Sequence, residues 1–465
     1  MFTGFSNTWQ KNKAMIATIT ALAWPTVLEQ ALQTVVQYAD TAMVGQMGAN
    51  ASAAVGLTAT VTWLVNGPMF AMGIGVLACI SQAIGAKDYQ RAKTASVQSF
   101  FLALALGIVL TIITLSVSPF LPGWLGASEE IRKDASIYFF ITCIPMVFRA
   151  ATIIFGSVLR AAGETKTPMF VNAFMNVINI ILNFFLIGNG VTLGSFHLWG
   201  AGLGVAGAAI ATAISHAAGG TLMIIALLKN PLLSPKGQSF RICPNVMKQC
   251  VKVGIPVALQ RIVVCFGQVY FTSLVTDLGT ISVAAHSIAL TAEQAFYIPG
   301  YGMETAASTL AGNAVGERNG KKLMHMSRVI TLIAMMIMTI TGGLLFLFPG
   351  AIMSIFTQDP AVISQGITVL KIVAVSEPLF AVAIIMEGLF NGIGDTRSPF
   401  FISVITMWGV RIVFTFICVR VFHLGLNAVW VCMVADNVSK CFLLLFRFLQ
   451  GKWKVGLDLS YSENN

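Results

Sequence analysis

The chain has 465 residues, of which 56% are hydrophobic and only 10% are charged. A soluble globular domain carries about 25% charged residues, so this composition excludes that class and indicates a protein with a large lipid-facing surface. The formal net charge is +10. The basic residues lie in short gaps between apolar runs and not along one helix face, which argues against nucleic acid and for a lipid bilayer as partner.

Twelve apolar segments are long enough to cross a bilayer, because a spanning helix needs about 20 mostly apolar residues. In chain order they are predicted at 15–43, 53–80, 95–120, 135–158, 168–188, 200–228, 250–276, 283–312, 328–348, 362–391, 397–420 and 425–448. The sequence therefore predicts an all-α membrane protein with twelve transmembrane helices.

The gaps between these segments alternate in basic charge. Lys13 precedes the first segment, the gap at 46–52 is uncharged, Lys87 follows the second segment and Arg160 follows the fourth. Since basic loops are cytoplasmic, we expect both termini on the cytoplasmic side. We expect the chain to lie in the plasma membrane of a bacterial-type cell, that is, in the bacterial cytoplasmic membrane. The polar tail after Lys454 is expected to be disordered.

An internal repeat relates the two halves of the chain at one constant offset. The paired positions include Pro25 and Pro256, Gln37 and Gln268, Gly48 and Gly279, Pro68 and Pro299, and the segments 163–168 and 394–399. With both halves starting inside, the repeat is parallel, and we expect two six-helix lobes at 1–231 and 232–465. Such repeats are typical of transporters whose two bundles move around a site near the membrane midplane; a channel remains a weaker alternative.

Polar residues inside the first half follow two helix faces, because spacings of three and four residues keep side chains on one face. The first predicted helix carries Glu29, Gln33, Gln37 and Asp40, and the fifth carries Asn172, Asn176, Asn179 and Asn183. A charge near the helix centre costs roughly 2.5–3.5 kcal/mol, so an intramembrane carboxylate indicates a function. For the asparagines, hydrogen bonding between packed helices is the alternative.

The repeat offset maps Asp40 to Phe271 and Asn179 to Val410, so this polar cluster exists only in the first half. We therefore expect the first half to hold a coupling ion. Burial disfavours a carboxylate's charged form, so Asp40 can take up a proton; left ionised, it can bind sodium together with amide oxygens.

The second half has its own ionisable residues within predicted spans: Arg261, Glu293, Glu304, Glu377, Glu387, Arg411 and Asp436. Carboxylates there can attract cationic substrates, whereas ion pairing or snorkelling to the membrane face is the alternative for each.

Pro68 and Pro299 lie deep in spans and are hinge candidates, because proline removes a backbone hydrogen bond. No HExxH, GxSxG or P-loop motif is present, so we expect no enzyme.

Short motifs in a fixed order carry a family resemblance. They are Ala39-Asp40-Thr41-Ala42-Met43-Val44-Gly45, Ala284-Ala285-His286, Tyr297-Ile298-Pro299-Gly300 and the two Gly-acidic-Thr-basic-x-Pro loops at 163–168 and 394–399. On these residues the chain resembles the multidrug and toxic compound extrusion (MATE) family, bacterial NorM/DinF-like branch. The resemblance implies two pseudo-symmetric six-helix lobes and export of drugs or organic cations by proton- or sodium-coupled antiport. No cofactor is expected, and we expect a monomer.

The resemblance also implies roles for individual residues. Asp40 would be the acidic residue of the cation-coupling site, with Asn179, Asn183 and Thr212 as its polar partners. Val264 and Phe380 stand where NorM-like members carry acidic residues, which favours a proton over sodium while leaving sodium at Asp40, Asn179 and Asn183 as the alternative. The residues assigned to a substrate cavity are Glu29, Gln33, Gln37, Asn172, Asn176, Arg261, Glu293 and Glu387. A lipid or lipid-linked precursor flippase of the same superfamily is the alternative function.

Overall fold

The apolar runs form helices, because in lipid every backbone polar group must be bonded within its own segment. The computed structural model describes residues 2–188, 190–193 and 196–451, so the tail after Lys454 lies outside the described residues.

The elements of the first half are α1 (Phe2–Gly45), α2 (Ala49–Gly85), α3 (Tyr89–Val117), α4 (Leu121–Trp124), α5 (Glu129–Cys143), α6 (Met146–Ala161), α7 (Lys166–Ile187), β1 (Gly190–Leu193), β2 (Phe196–Trp199) and α8 (Gly204–Lys229).

The second half begins with α9 (Pro244–Thr276), α10 (Thr280–Gly316), α11 (Gly320–Leu347), α12 (Pro349–Phe356), α13 (Pro360–Ala374) and α14 (Glu377–Ile393). The segment Arg397–Val421 follows, in which α15 (Arg397–Val404) and α16 (Val413–Phe416) alternate with two π-helical stretches, and α17 (Leu426–Leu449) comes last.

Each of the twelve predicted spans corresponds to a helix or a pair of helices. Among the described residues nine helices are long and apolar enough to cross a membrane, and two bent pairs raise that number to eleven. The remaining predicted span is α10, which has 37 residues and is made more polar by His286, Glu293 and Glu304. The twelve-helix fold class is therefore confirmed, with one polar member.

Two predicted spans are broken helices instead of straight ones. The fourth is divided into α5 and α6 with a bend of 52°, and the tenth into α13 and α14 with a bend of 56°. Arg160, expected in a loop, is in the last turn of α6. The gap after α7 contains an antiparallel hairpin that pairs Gly190 with Trp199, which its uncharged sequence did not indicate.

The repeat governs helix boundaries as well as residue identities. The first residues Glu129, Met146 and Lys166 of α5, α6 and α7 are matched at the same offset by Pro360, Glu377 and Arg397 of α13, α14 and α15. The two halves therefore use one order of helices and bends.

By backbone proximity the chain divides into two compact units. The first unit comprises Met1–Val27, Ser81–Asp88 and Ile255–Asn465, and therefore contains most of the second half of the chain. The second unit comprises Leu28–Ile80 and Tyr89–Gly254, which belong mainly to the first half. The predicted lobe boundary between residues 231 and 232 stays a prediction.

The core of the first unit is built from apolar side chains of α10, α11, α14 and α17, among them the fully buried Met338, Leu389, Phe390 and Leu444. Within this unit the ends of α2 and α10 cross closely. A Cβ added at Gly85 would overlap the backbone of Asn313, and one added at Gly316 would overlap the backbone of Gln82. Because Gln82 and Asn313 are themselves related by the repeat, this crossing is symmetric, and only residues without a side chain allow it.

Candidate functional site

The second unit brings Asp40 of α1 together with the asparagines of α7. Asn183 donates a hydrogen bond from Nδ2 to Oδ1 of Asp40 at 2.6 Å, and its Nδ2 lies 3.1 Å from Oδ1 of Asn179. Asn179 and Asn183 are one helical turn apart, so both point to the same neighbour. The Asn179 and Asn183 side chains are buried and Asp40 is half-buried.

The amide of Asn179 also fits Asp40 directly. Turning it by 180° brings its nitrogen 2.8 and 3.2 Å from the two carboxylate oxygens of Asp40, and its oxygen then accepts from the Thr212 hydroxyl at 3.3 Å. Side-chain amide orientation follows from the hydrogen-bond network, and this orientation satisfies more groups. Asp40, Asn179, Asn183 and Thr212 therefore form one connected network, and the family resemblance had grouped the same four residues.

Tyr138 of α5 belongs to the same neighbourhood, although the sequence gave no signal for it. Its hydroxyl is within hydrogen-bonding reach of Thr212, and its ring packs against Val44 and Ala208. Behind it, Arg149 of α6 lies 2.8 Å from Nε2 of His216 on α8. The network thus extends from α1 through α7 and α8 to α5.

No Lys or Arg forms an ion pair with Asp40 within the described ranges. Its carboxylate is instead solvated by neutral carboxamides, which can donate to a charged carboxylate or accept from a protonated one. The same ranges contain no group of three His, Cys, Asp or Glu side chains placed to hold a metal. Asp40 is therefore a half-buried carboxylate held by neutral side chains.

Glu29 and Asn172, assigned to a substrate cavity, meet in a separate cluster. Arg160 donates from Nη2 to both oxygens of Glu29 at 2.7 and 2.8 Å, and Asn172 donates to Oε1 of Glu29 at 2.7 Å. Only 4% of Glu29 is exposed. This geometry is that of a buried ion pair joining α1, α6 and α7, and its substrate role stays a prediction.

The other predicted cavity residues of this unit lie on the same two helices. Gln33 and Gln37 are exposed on α1, whereas Asn176 is buried on α7 between the two clusters. The hinge candidate Pro68 lies inside α2 and Pro299 lies inside α10. Their hinge role stays a prediction.

The first unit has a charged cluster around Glu387 of α14. Lys440 of α17 lies 2.6 Å from Oε1 of Glu387, and Gln260 and Ser403 donate to the same oxygen at 2.9 and 3.2 Å. Arg261 is exposed and within electrostatic range of Glu304, which accepts from Asn391 at 3.3 Å.

A second charged group in the first unit surrounds Glu293, which is 5% exposed on α10. Arg411 lies within electrostatic range of Glu293 and forms a 2.7 Å ion pair with Asp436. The predicted residues Glu293 and Glu387 therefore lie in different clusters.

Comparison with known proteins agrees with this architecture. A model of the MatE family matches residues 25–185 and 256–417. A probable multidrug resistance protein NorM from Thermotoga maritima is 30% identical over 93% of this chain and 92% of its own length. The uncharacterized transporter YisQ of Bacillus subtilis is 24% identical over 93% of this chain and 94% of its own length.

Solved structures show the same fold. A MOP superfamily transporter from Pyrococcus furiosus superposes with a TM-score of 0.86 at 23% identity, covering 95% of this chain and 96% of that one. A MATE protein in its straight conformation gives 0.86 at 25% identity, with 96% of each chain covered. The family match spans most of both halves, so the chain belongs to the MatE family of membrane transporters.

Proposed function

We propose that this chain exports drug-like organic compounds, many of them cationic, from a bacterial-type cell by proton-coupled antiport. Asp40 is the group that takes up and releases the proton. The observation that carries this proposal is the 2.6 Å hydrogen bond from Asn183 to a half-buried carboxylate that has neutral partners.

The neutral partners matter because a carboxylate beside Arg or Lys stays ionised, whereas one surrounded by carboxamides can hold or release a proton. The amide nitrogens of Asn183 and Asn179 stabilise the charged form, since hydrogen bonds to an ionised acceptor are the stronger ones. A protonated Asp40 can donate to the Asn183 oxygen, which accepts no hydrogen bond within the described residues. Both protonation states therefore have partners in place.

Sodium is the alternative coupling ion, because carboxylate and amide oxygens are the hard ligands that such cations prefer. It would need the amide oxygens of both asparagines turned towards Asp40, whereas Asn183 points its nitrogen at that carboxylate. The similarity to a probable multidrug resistance protein NorM supports drug-like compounds as substrates. We place the chain in the bacterial cytoplasmic membrane as a monomer with both termini inside.

Purified protein in proteoliposomes loaded with a cationic dye tests the coupling ion. An imposed proton gradient is expected to drive dye movement, and an imposed sodium gradient is not. A response to sodium alone would keep the transporter and make Asp40 a sodium ligand. Movement driven by neither gradient in folded protein would favour a lipid flippase instead.

The Asp40→Asn variant tests the assigned residue. Proton-driven transport is expected to be lost, because an amide cannot release a proton at any working pH, while thermal unfolding stays close to that of the parent. Asp134→Asn is the matched control, since Asp134 is an exposed aspartate of the same unit on α5. Normal proton-driven transport by Asp40→Asn would overturn the role.

A further inference from the structure

Glu377 is a buried carboxylate whose oxygens have no hydrogen-bond partner among the described residues. It is the first residue of α14, at the 56° bend between α13 and α14, and only 1% of it is exposed. Neither carboxylate oxygen has a hydrogen-bond partner within residues 2–188, 190–193 and 196–451. Its repeat counterpart in the first half is Met146, so the fold does not require an acid here.

The side of Glu377 that faces α10 meets a second acid. Glu293 lies within electrostatic range and is 5% exposed. On the α11 side the neighbour is Gly342, which contacts the aliphatic part of Glu377. Tyr297 lies within electrostatic range of both glutamates, and Tyr301 and Arg411 lie within range of Glu293. Arg411 in turn is within range of His286 and pairs with Asp436.

The one cation in this set is already neutralised. Arg411 forms a 2.7 Å ion pair with Asp436, and its other nitrogens lie 3.3 Å from Asn437 and 3.4 Å from Gln268. His286 is 1% exposed, and neither of its ring nitrogens has a hydrogen-bond partner among the described residues. No positive group of the described chain forms an ion pair with Glu377.

Two buried glutamates within electrostatic range of each other disfavour the state in which both are ionised. Taking an ion out of water costs several kcal/mol after relaxation, and like charges at close range add to that cost. A proton bound by one of them removes both costs, as in paired carboxylates that share a proton. The position of Glu377 in the first turn of α14 keeps the ionised form accessible, because the helix N-terminus favours negative charge.

We propose that Glu377, together with Glu293, forms a second proton-binding site in the second half of the chain, separate from Asp40. The ligand is a proton, because it neutralises a buried carboxyl group whose two oxygens have no donor among the described residues. Its use in transport rests on the proposed antiport, whereas its existence does not.

Infrared difference spectra of the purified protein between neutral and alkaline buffer test the site directly, because exposed carboxyl groups stay ionised in both. The C=O band of a protonated carboxyl group is expected in the parent and is expected to lose intensity in Glu377→Gln. Glu317→Gln is the control, because Glu317 forms an exposed ion pair with Lys322 and should leave the band unchanged. An identical band in Glu377→Gln and the parent overturns the proposal.

Folding of the variants gives an independent readout. If Glu377 is neutral, both glutamine and methionine, the residue at position 146, should keep the thermal unfolding temperature of the parent at neutral pH. A large fall in that temperature for both variants would show that Glu377 is ionised and paired, and would overturn the site.

The role in transport is tested by the number of protons exchanged per dye molecule, measured from the gradient at which dye movement reverses. Glu377→Gln should lower that number while Asp40 still supports coupling. An unchanged number overturns the role in transport. If the parent itself shows no proton-driven transport, the antiport fails while the infrared band still decides the site.

Discussion

Each half has an ion pair at the same repeat-related contact between helices, but the charged residues lie on different helices in the two halves. In the second unit Asn172 donates to Glu29 at 2.7 Å, and in the first unit the repeat-related Gln260 and Ser403 are joined at 2.9 Å. Arg160 of the first half is matched by Asn391. The same contact between helices is therefore polar in both halves, but the repeat-related residues themselves are charged only in the first half.

The charges of the second version come from elsewhere. Glu387 of α14 and Lys440 of α17 supply the ion pair that touches Gln260, and their repeat counterparts are Gly156 and Ala209. A buried charge has to keep a partner wherever it lies, so the halves could diverge only by moving acid and base together. The repeat therefore preserves which helices contact each other, but it does not preserve which residues carry the charges.

The largest expected effect comes from breaking the first ion pair. Arg160→Ala leaves Glu29 buried beside Asn172 alone, and removing one partner of a buried pair costs about 3–5 kcal/mol. The free energy of unfolding in mixed detergent micelles measures it. The double variant Arg160→Met with Glu29→Gln should regain most of the loss; no recovery would mean that Arg160 acts through other contacts.

A smaller effect is expected in the other half. Lys440→Met removes the cation that pairs with Glu387. Glu387 keeps the donors Gln260 and Ser403, and the Glu387 side chain is 16% exposed. The loss should be about 2 kcal/mol, measured in the same micelles. A loss as large as that of Arg160→Ala would show that the neutral donors contribute nothing.

The helix crossing at Gly85 and Gly316 should respond alike on both sides. Each substitution by alanine places a methyl group against backbone, and such overpacking costs about 1–2 kcal/mol. Gly343→Ala on α11 is the control, since a Cβ there meets open space and alanine favours helix. Unequal losses at Gly85 and Gly316 would break the symmetry of the crossing.

The smallest effect belongs to an exposed pair. Lys322 and Glu317 lie 2.7 Å apart with 44% and 35% of their side chains exposed. Lys322→Ala should therefore change the free energy of unfolding by less than about 1 kcal/mol. A larger change, retained at high salt, would show that Lys322 packs as well as pairs.

Sequence patterns predicted which residues share one face of a helix. The spacing of Asn179 and Asn183 gave a polar face, and the family resemblance joined that face to Asp40. Partners on other helices could not be derived in this way. Arg160 was predicted in a loop, because the fourth span was taken to end where its apolar residues end. In the structure the last turn of α6 contains Arg160, which reaches Glu29.

The bend before Glu377 was missed for a similar reason. Hydropathy is continuous across Ala374 and Glu377, so it does not show where the helix direction changes by 56°. Only the packed structure shows that the acid at that bend lacks a hydrogen-bond partner, since burial depends on neighbours that are distant in sequence.

The asparagine stripe of α7 touches both clusters of its unit. Asn172 contacts Glu29 and Asn183 contacts Asp40, and about 16 Å of helix axis separates the two at 1.5 Å per residue. Because α7 is one unbroken helix of 22 residues, it acts as a rigid rod between them. A rotation of this rod that frees Asn183 from Asp40 also turns Asn172 away from Glu29, so an event at one end has a mechanical effect at the other.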